Sequence, residues 1–265
     1  MGYILSEDSI NKVVTILEKH GACIHHEIFD RAWSNYKLDF KLVRWAIDKL
    51  LSKETIDMKI EKSPYGKPFH FFFLTNTDAN KIDRVIDYKL RLLRQHSKLT
   101  QEIGDFGENL IGKIIEGLPY EEVEIRKKKH KDIGIGRKGI DVWGKHVNDY
   151  YQNIEVKNRR QLVDTNDIDN IITKTEAARN RWNLPVESAL VCAFIYPKAL
   201  EKANSANMPV AITKKVFVPR KYAMFYLNYR KTLGSHYIEI ADSENPSNSL
   251  SDLILDKIHD HNYDE

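Results

Sequence analysis

"RKGIDVWGKHVNDYYQNIEVKNRRQ" (Arg137–Gln161) governs how the rest of the chain is read. "GIDVWG" and "YYQNIEVK" have the composition of short strands, and the polar turn "KHVNDYY" overlaps the second. Asp141 and Glu155 stand 14 positions apart, enough for two antiparallel strands to bring them side by side. Alternation along "EVK" puts Glu155 and Lys157 on one face and Val156 on the other. Acids are poorly favoured inside strands, so two of them call for a chemical reason. A hard divalent cation is one: Mg²⁺ keeps several waters and needs only two or three carboxylates as anchors. A lysine beside it can orient a water and offset charge on phosphorus, as phosphodiester hydrolysis requires. The competing reading makes Glu155 and Lys157 a solvated ion pair and Asp141 a turn acid.

The flanks fit an α/β layout. Upstream, "TQEIGDFGENLIGKIIEGL" predicts a helix burying Ile103, Phe106, Leu110, Ile114 and Leu118. Glu108 sits at the margin of that stripe as a candidate third carboxylate, with Glu102 and Glu116 in the same segment. "YEEVEIRKKKHK" predicts a strand, and "DTNDIDNIITKTEAARNRW" a helix on which Lys174, Arg179 and Arg181 read as a solvated face. "ESALVCAFIYP" is a continuous apolar run, expected of a central strand covered on both sides. "KALEKANSAN" and "MPVAIT" add a helix and a strand. Helices alternating with strands predict an α/β sandwich. Arg126, Lys127, Lys128, Asn158, Arg159 and Arg160 are candidate phosphate contacts. For the lysine run, protection of a sheet edge is the competing reading. "GIGIGRKG" matches G-x-G-x-x-G but runs into a strand rather than a helix, which excludes a dinucleotide loop.

Glu108 in "FGENL", Asp141 in "GIDVWG" and Glu155 with Lys157 in "IEVKNR" together resemble the PD-(D/E)XK nuclease superfamily. The resemblance covers roughly residues 100–215 and is similar in layout to archaeal Holliday-junction resolvases and to Mrr-like and type II restriction enzymes. Ile140 stands where that family often has Pro. The resemblance implies a restriction-endonuclease-like mixed sheet flanked by helices, with Glu108, Asp141 and Glu155 as metal ligands. It implies Mg²⁺, with Mn²⁺ able to substitute, and Lys157 positioning and activating the water. It also implies a homodimer, since two cuts call for two sites.

The N-terminal part predicts three helices, "SEDSINKVVTILEKH", "HHEIFDRAW" and "LDFKLVRWAIDKLLSK". A hairpin follows, with Ile56, Met58 and Ile60 on one strand, the turn "SPYGKP", and Phe69, Phe71 and Phe73 on the other. This order resembles a winged helix, which implies DNA contacts by Lys41, Arg44 and Lys49 on the third helix and by Lys62 and Lys67 at the hairpin. The expected domains are a winged helix over 1–77, a linker helix over 78–99, a nuclease domain over 100–240 and an acidic tail over 241–265. "SLSDLILDKIHDH" within that tail also fits a last amphipathic helix.

Charge and cysteine usage agree with this scheme. The formal net charge is +3, yet the segment from Ala241 carries seven acids against Lys257 alone, leaving +9 on residues 1–240. A basic body invites a polyanion such as DNA. Cys23 and Cys192 have neither disulfide-framework nor zinc spacing, and "MGYILSEDSINK" lacks the charged and apolar segments of a secretory signal. No apolar run reaches membrane-spanning length. A reducing, cytoplasmic location is expected. The leading expectation is a Mg²⁺-dependent DNA endonuclease, of restriction or junction-cleaving type. A non-catalytic DNA-binding regulator on the same two modules is the alternative.

Overall fold

The computed structural model describes residues 7–127 and 139–259. In chain order the first elements are α1 (Glu7–His20), β1 (Cys23–Ile24), α2 (His25–Tyr36), α3 (Phe40–Ser52), β2 (Ile56–Glu61), β3 (Phe69–Leu74) and α4 (Ala79–Glu116). Then come β4 (Tyr120–Lys127), β5 (Ile140–His146), β6 (Tyr151–Lys157), α5 (Thr165–Trp182), β7 (Val186–Cys192), α6 (Pro197–Ser205) and β8 (Val210–Ile212). The last are β9 (Val216–Pro219), α7 (Ala223–Leu233), β10 (Ile238–Ala241) and α8 (Asn248–Ile254), with a π-helical turn over Leu255–His259. Two compact units result: residues up to Thr100 together with Met224–His236, and Gln101–Ala223 together with Tyr237 onward. The segment Met224–His236 therefore departs from the expected single run 100–240. Arg31 Nη2 explains its place, donating to the carbonyls of Lys231 and Thr232 at 2.9 and 2.8 Å.

In the first unit, Val13, Ile16 and Leu17 of α1 face Val43, Ala46, Ile47 and Leu50 of α3 across one apolar core. Asp39 starts α3 by accepting from the Leu42 amide at 2.8 Å. The three strands form an antiparallel sheet in the order β1-β3-β2, with Ile56 opposite Leu74 and Glu61 opposite Phe69.

The second unit is built on a mixed five-stranded sheet, β4-β5-β6-β7-β8. β5 pairs antiparallel with both β4 and β6; β6, β7 and β8 pair in parallel. Period-2 alternation sends Val142, Ile154, Val156, Ala189 and Val191 to one face, under Leu110, Ile111, Ile114 and Ile115 of α4 and Leu250 and Ile254 of α8. The opposite face sends Leu190 and Cys192 toward Ile168 and Ile171 of α5 and Ala199 and Ala203 of α6. This is an α/β architecture with a mixed sheet flanked by helices. β7 is an interior strand, as its apolar run implies, although β6 is the middle one.

Two further expectations are corrected. The predicted helices 78–98 and 100–118 form one continuous 38-residue helix, α4. No Gly or Pro interrupts their junction, and the Ser97 and Thr100 hydroxyls donate back to the carbonyls of Arg94 and Ser97 instead of breaking the ladder. The segment from Ala241 is not simply a loose acidic tail. Ala241 ends β10, and Leu250, Ile254 and Ile258 are buried on the sheet while the acids Asp252 and Asp256 avoid that stripe. β9, β10 and α7 were absent from the sequence reading altogether. No helix among the described residues is long and apolar enough to cross a membrane.

Candidate active site

The end of β6 gathers the chemistry. Asn153, Glu155 and Lys157 share one face, and α5 lies across it. Asp164 and Asp167 close a capping box at the start of α5. Further along, Thr175 accepts from Asn153 Nδ2 at 2.9 Å, which fixes the helix over the strand. The preceding residue, Lys174, then reaches Glu155 Oε2 at 2.7 Å. Lys157 donates to the other oxygen, Oε1. Glu155 is only 4% exposed, and its two oxygens are each held by an ammonium. Burial alone would push its carboxyl up, but the charges and hydrogen bonds of Lys157 and Lys174 outweigh burial and hold it below the usual range.

Asp141 stands beside Glu155 where β5 leaves the ladder: regular pairing begins at Val142 opposite Ile154. Asp141 Oδ2 accepts from the Val156 amide at 2.9 Å, filling the gap between the strands. Burial, then the negative charge of Glu155, then that of Glu108 push its carboxyl up to about 7. Asp141 is therefore an acid crowded by two others.

Glu108 owes its place to a glycine. A Cβ on Gly107 would come within 2.3 Å of Asn158 Cβ, so only glycine lets α4 approach this closely. The other helix acids are engaged elsewhere. Glu102 accepts from Tyr222 Oη at 2.6 Å and Lys221 Nζ at 3.0 Å, and Glu116 pairs with Lys113.

The structure thus joins Asp141, Glu155 and Lys157, with Glu108 close enough to act on Asp141 through its charge. It does not join all three carboxylates in one shell: among the described residues no set of three or more His, Cys, Asp or Glu side chains could hold a metal ion. Asp141 and Glu155 are hard oxygen donors side by side, with the charge of Glu108 acting on Asp141. They fit a Mg²⁺ held by two carboxylates and otherwise by water.

The candidate phosphate contacts fare differently. Asn158 is buried and occupied: its amide donates to the carbonyls of Ile103 and Phe217 at 2.9 and 2.8 Å and accepts from the Phe217 amide at 2.8 Å. It ties α4 and β9 to the end of β6 and does not face a ligand. Arg159 is anchored on the Asp167 carboxylate at 2.8 and 3.0 Å, and the Arg160 guanidinium lies over the Tyr237 ring at 4.8 Å. Lys128 lies outside the described residues; Arg126 and Lys127 contribute their backbone to β4. In the first unit Lys41, Arg44 and Lys49 on α3, and Lys62 and Lys67 at the hairpin turn, are all exposed.

Sequence reasoning missed Lys174, placing it on a solvated face. Its spacing from the buried Ile171 and Ala178, three before and four after, signals an inward position. Arg179 is also tied, donating to the Val186 carbonyl at 2.6 Å, whereas Arg181 is exposed as expected.

No protein-family model matches the chain, and no curated protein matches it. Three solved structures are similar to parts of it. A repair endonuclease from Pyrococcus abyssi is 11% identical over 58% of this chain and 63% of its own, with a TM-score of 0.29. An EndoMS–dsDNA complex is 12% identical over 58% of this chain and 59% of its own, at 0.28. A PadR family transcription regulator from Clostridium difficile is 22% identical over 37% of this chain and all of its own, at 0.24. The chain spans less than two thirds of the length of the repair endonuclease and of the EndoMS chain. With TM-scores this low, the reading of the site rests on its geometry.

Proposed function

We propose that the chain is a divalent-metal-dependent DNA endonuclease whose first unit is a winged-helix DNA reader and whose second is a PD-(D/E)XK nuclease domain. The observation that carries this reading is the meeting of Asp141, Glu155 and Lys157 at the end of two antiparallel strands, with the carboxyl of Asp141 driven up by burial and by its acidic neighbours. A structural ion pair needs no second acid pressed against it. When bound between Asp141 and Glu155, Mg²⁺ would polarise the phosphate and its attacking water. Lys157 directs its ammonium to the same place, where it can orient that water and offset charge on phosphorus. Glu108 adds negative charge that favours a cation.

The first unit supports DNA as the substrate. Its three helices followed by a hairpin, with five exposed cations on α3 and the hairpin turn, suit a helix in the major groove and a wing on the backbone. A homodimer would supply one site per strand.

The test incubates wild type, Asp141→Ala and Lys157→Ala with supercoiled plasmid and with four-way junctions, in Mg²⁺ or Mn²⁺. Cleavage by wild type alone is expected. Equal DNA binding by all three with no cleavage by any sinks the enzyme reading and leaves a DNA-binding regulator. Replacing Lys41 and Arg44 together by Ala should weaken binding across sequences and flatten its salt dependence by about two counterions, one per lost phosphate contact.

A further inference from the structure

Lys174 lies outside the Asp-Glu-x-Lys pattern, yet it has one of the two oxygens of Glu155 to itself. Its Nζ is 2.7 Å from Oε2, its side chain is 13% exposed, and among the described residues Glu155 is its hydrogen-bond partner. Lys157 occupies Oε1. A buried carboxylate without a counter-charge is costly, so one cation at least is needed whenever no metal is present. Two are supplied, and the second comes from a different element, α5.

The two lysines differ in what they can do when a divalent cation arrives. The cation needs an oxygen of Glu155, and its double charge repels an ammonium a few ångströms away. Lys157 is two residues along the same strand and remains beside the site. Lys174 stands on the helix above, at the end of a flexible four-carbon stem, and can swing from Glu155.

We infer that Lys174 is a positioning residue that serves as the resident counter-cation of the site. It holds Glu155 in the metal-free protein and gives up Oε2 to an arriving divalent cation. This rests on the nuclease reading above and deepens it: metal affinity is set by competition with a lysine from α5 as well as by the carboxylates. Lysine binding keeps Glu155 ionised and preformed, at the expense of a weaker metal site.

The test measures Mn²⁺ affinity of the full chain by electron paramagnetic resonance and calorimetry, for wild type, Lys174→Met, Lys174→Gln and Lys174→Arg. Thermal unfolding in EDTA is recorded beside it. Removing the charge should tighten Mn²⁺ binding by about tenfold while lowering the unfolding temperature in EDTA; Lys174→Arg should stay near wild type in both. Loss of a merely structural contact would weaken Mn²⁺ binding or leave it unchanged, and either result in Lys174→Met and Lys174→Gln overturns the inference. If one variant fails to fold, the other decides. Wild type that cuts DNA with an unchanged Mn²⁺ affinity in the variants leaves the nuclease reading standing and removes the role of Lys174. If neither wild type nor the neutral variants bind Mn²⁺, and wild type does not cut, both fall.

Discussion

Among the described residues each unit contains one buried glutamate held by two cations, and the two arrangements differ in what surrounds them. In the first unit, Glu27 is 1% exposed and accepts from Arg31 Nε at 3.1 Å and from Lys89 Nζ at 2.7 Å. In the second, Glu155 is 4% exposed and accepts from Lys157 and Lys174. Around Glu27 every further partner is neutral. Lys89 donates to the carbonyls of Ala22 and His20 and to Cys23 Sγ; Arg31 donates to the carbonyls of Lys231 and Thr232. Several of these are the orphan carbonyls at the ends of α1 and α7. The knot is closed and its surplus is positive. Beside Glu155 stands Asp141, itself under the charge of Glu108, and burial with these two charges raises its carboxyl to about 7. A carboxylate bridged by two cations is thus not a functional signature in itself. A second acid pressed against it, as Asp141 is against Glu155, is.

The largest expected effect tests the closed knot. Glu27→Gln leaves Arg31 and Lys89 buried beside a neutral amide, and removal of one member of a buried ion pair costs about 3–5 kcal/mol. Glu155→Gln should cost less, because Lys157 still has the charge of Asp141 beside it. Urea unfolding of both variants in EDTA checks this, and equal losses would erase the distinction between the two sites.

Next in size is Asp141→Asn. Cleavage should fall by about 10²–10³-fold, the scale for removing one preorganised charge-stabilising group. The same change should raise stability in EDTA at pH 8, since it removes a charge that its neighbours oppose. A loss of stability at that pH would mean that Asp141 is a structural acid and that the second unit is as closed as the first.

How far this contrast could be read from sequence depends on the kind of signal. Alternation in "IEVK" and the Gly-Ile-Asp before it were enough to pair Asp141 with Glu155 and Lys157, because strand periodicity acts over two residues. The strand–helix alternation likewise carried the α/β reading of the second unit. Glu108 was singled out by "GE", and the reason lies in the contact between Gly107 and Asn158, which no local pattern reveals. Asn158 itself was misread as a phosphate contact, since an amide at the end of a strand looks the same whether it meets solvent or the Phe217 backbone. Lys174 and the Glu27 knot went unread for a similar cause. Lys174 meets Glu155 across 19 positions and Lys89 meets Glu27 across 62, contacts set by packing. α7 was missed because its weak amphipathic pattern gives little periodicity to find, although it buries Tyr226, Tyr229 and Leu233.

The smallest effect is also the one that separates the regions by sign. His20 lies against the Glu27 knot, and its imidazole is lowered from 6.5 to about 4 by burial and then by the charges of Arg31, Lys89 and Lys19. The unfolded chain therefore takes up that proton first, and the first unit loses stability as pH falls from 6.5 towards 4. Asp141 works in the opposite direction. With its carboxyl raised from 3.8 to about 7, its contribution is fully favourable below 3.8 and is lost as pH rises through 7. Between pH 7 and pH 5, acidification should accordingly protect β5 and β6 while loosening α1 and α2. Glu155 does not interfere in that window, because the stability it gains from a lowered carboxyl is lost only below its ordinary 4.5. Hydrogen exchange, corrected for the intrinsic pH dependence of the amides, reads the two regions separately. Asp141→Asn should abolish the trend in β5 and β6, and His20→Gln should weaken it in α1 and α2, where burial lowers the His25 imidazole as well. Trends of the same sign in both regions would show that the two buried glutamates sit in equivalent electrostatic surroundings after all.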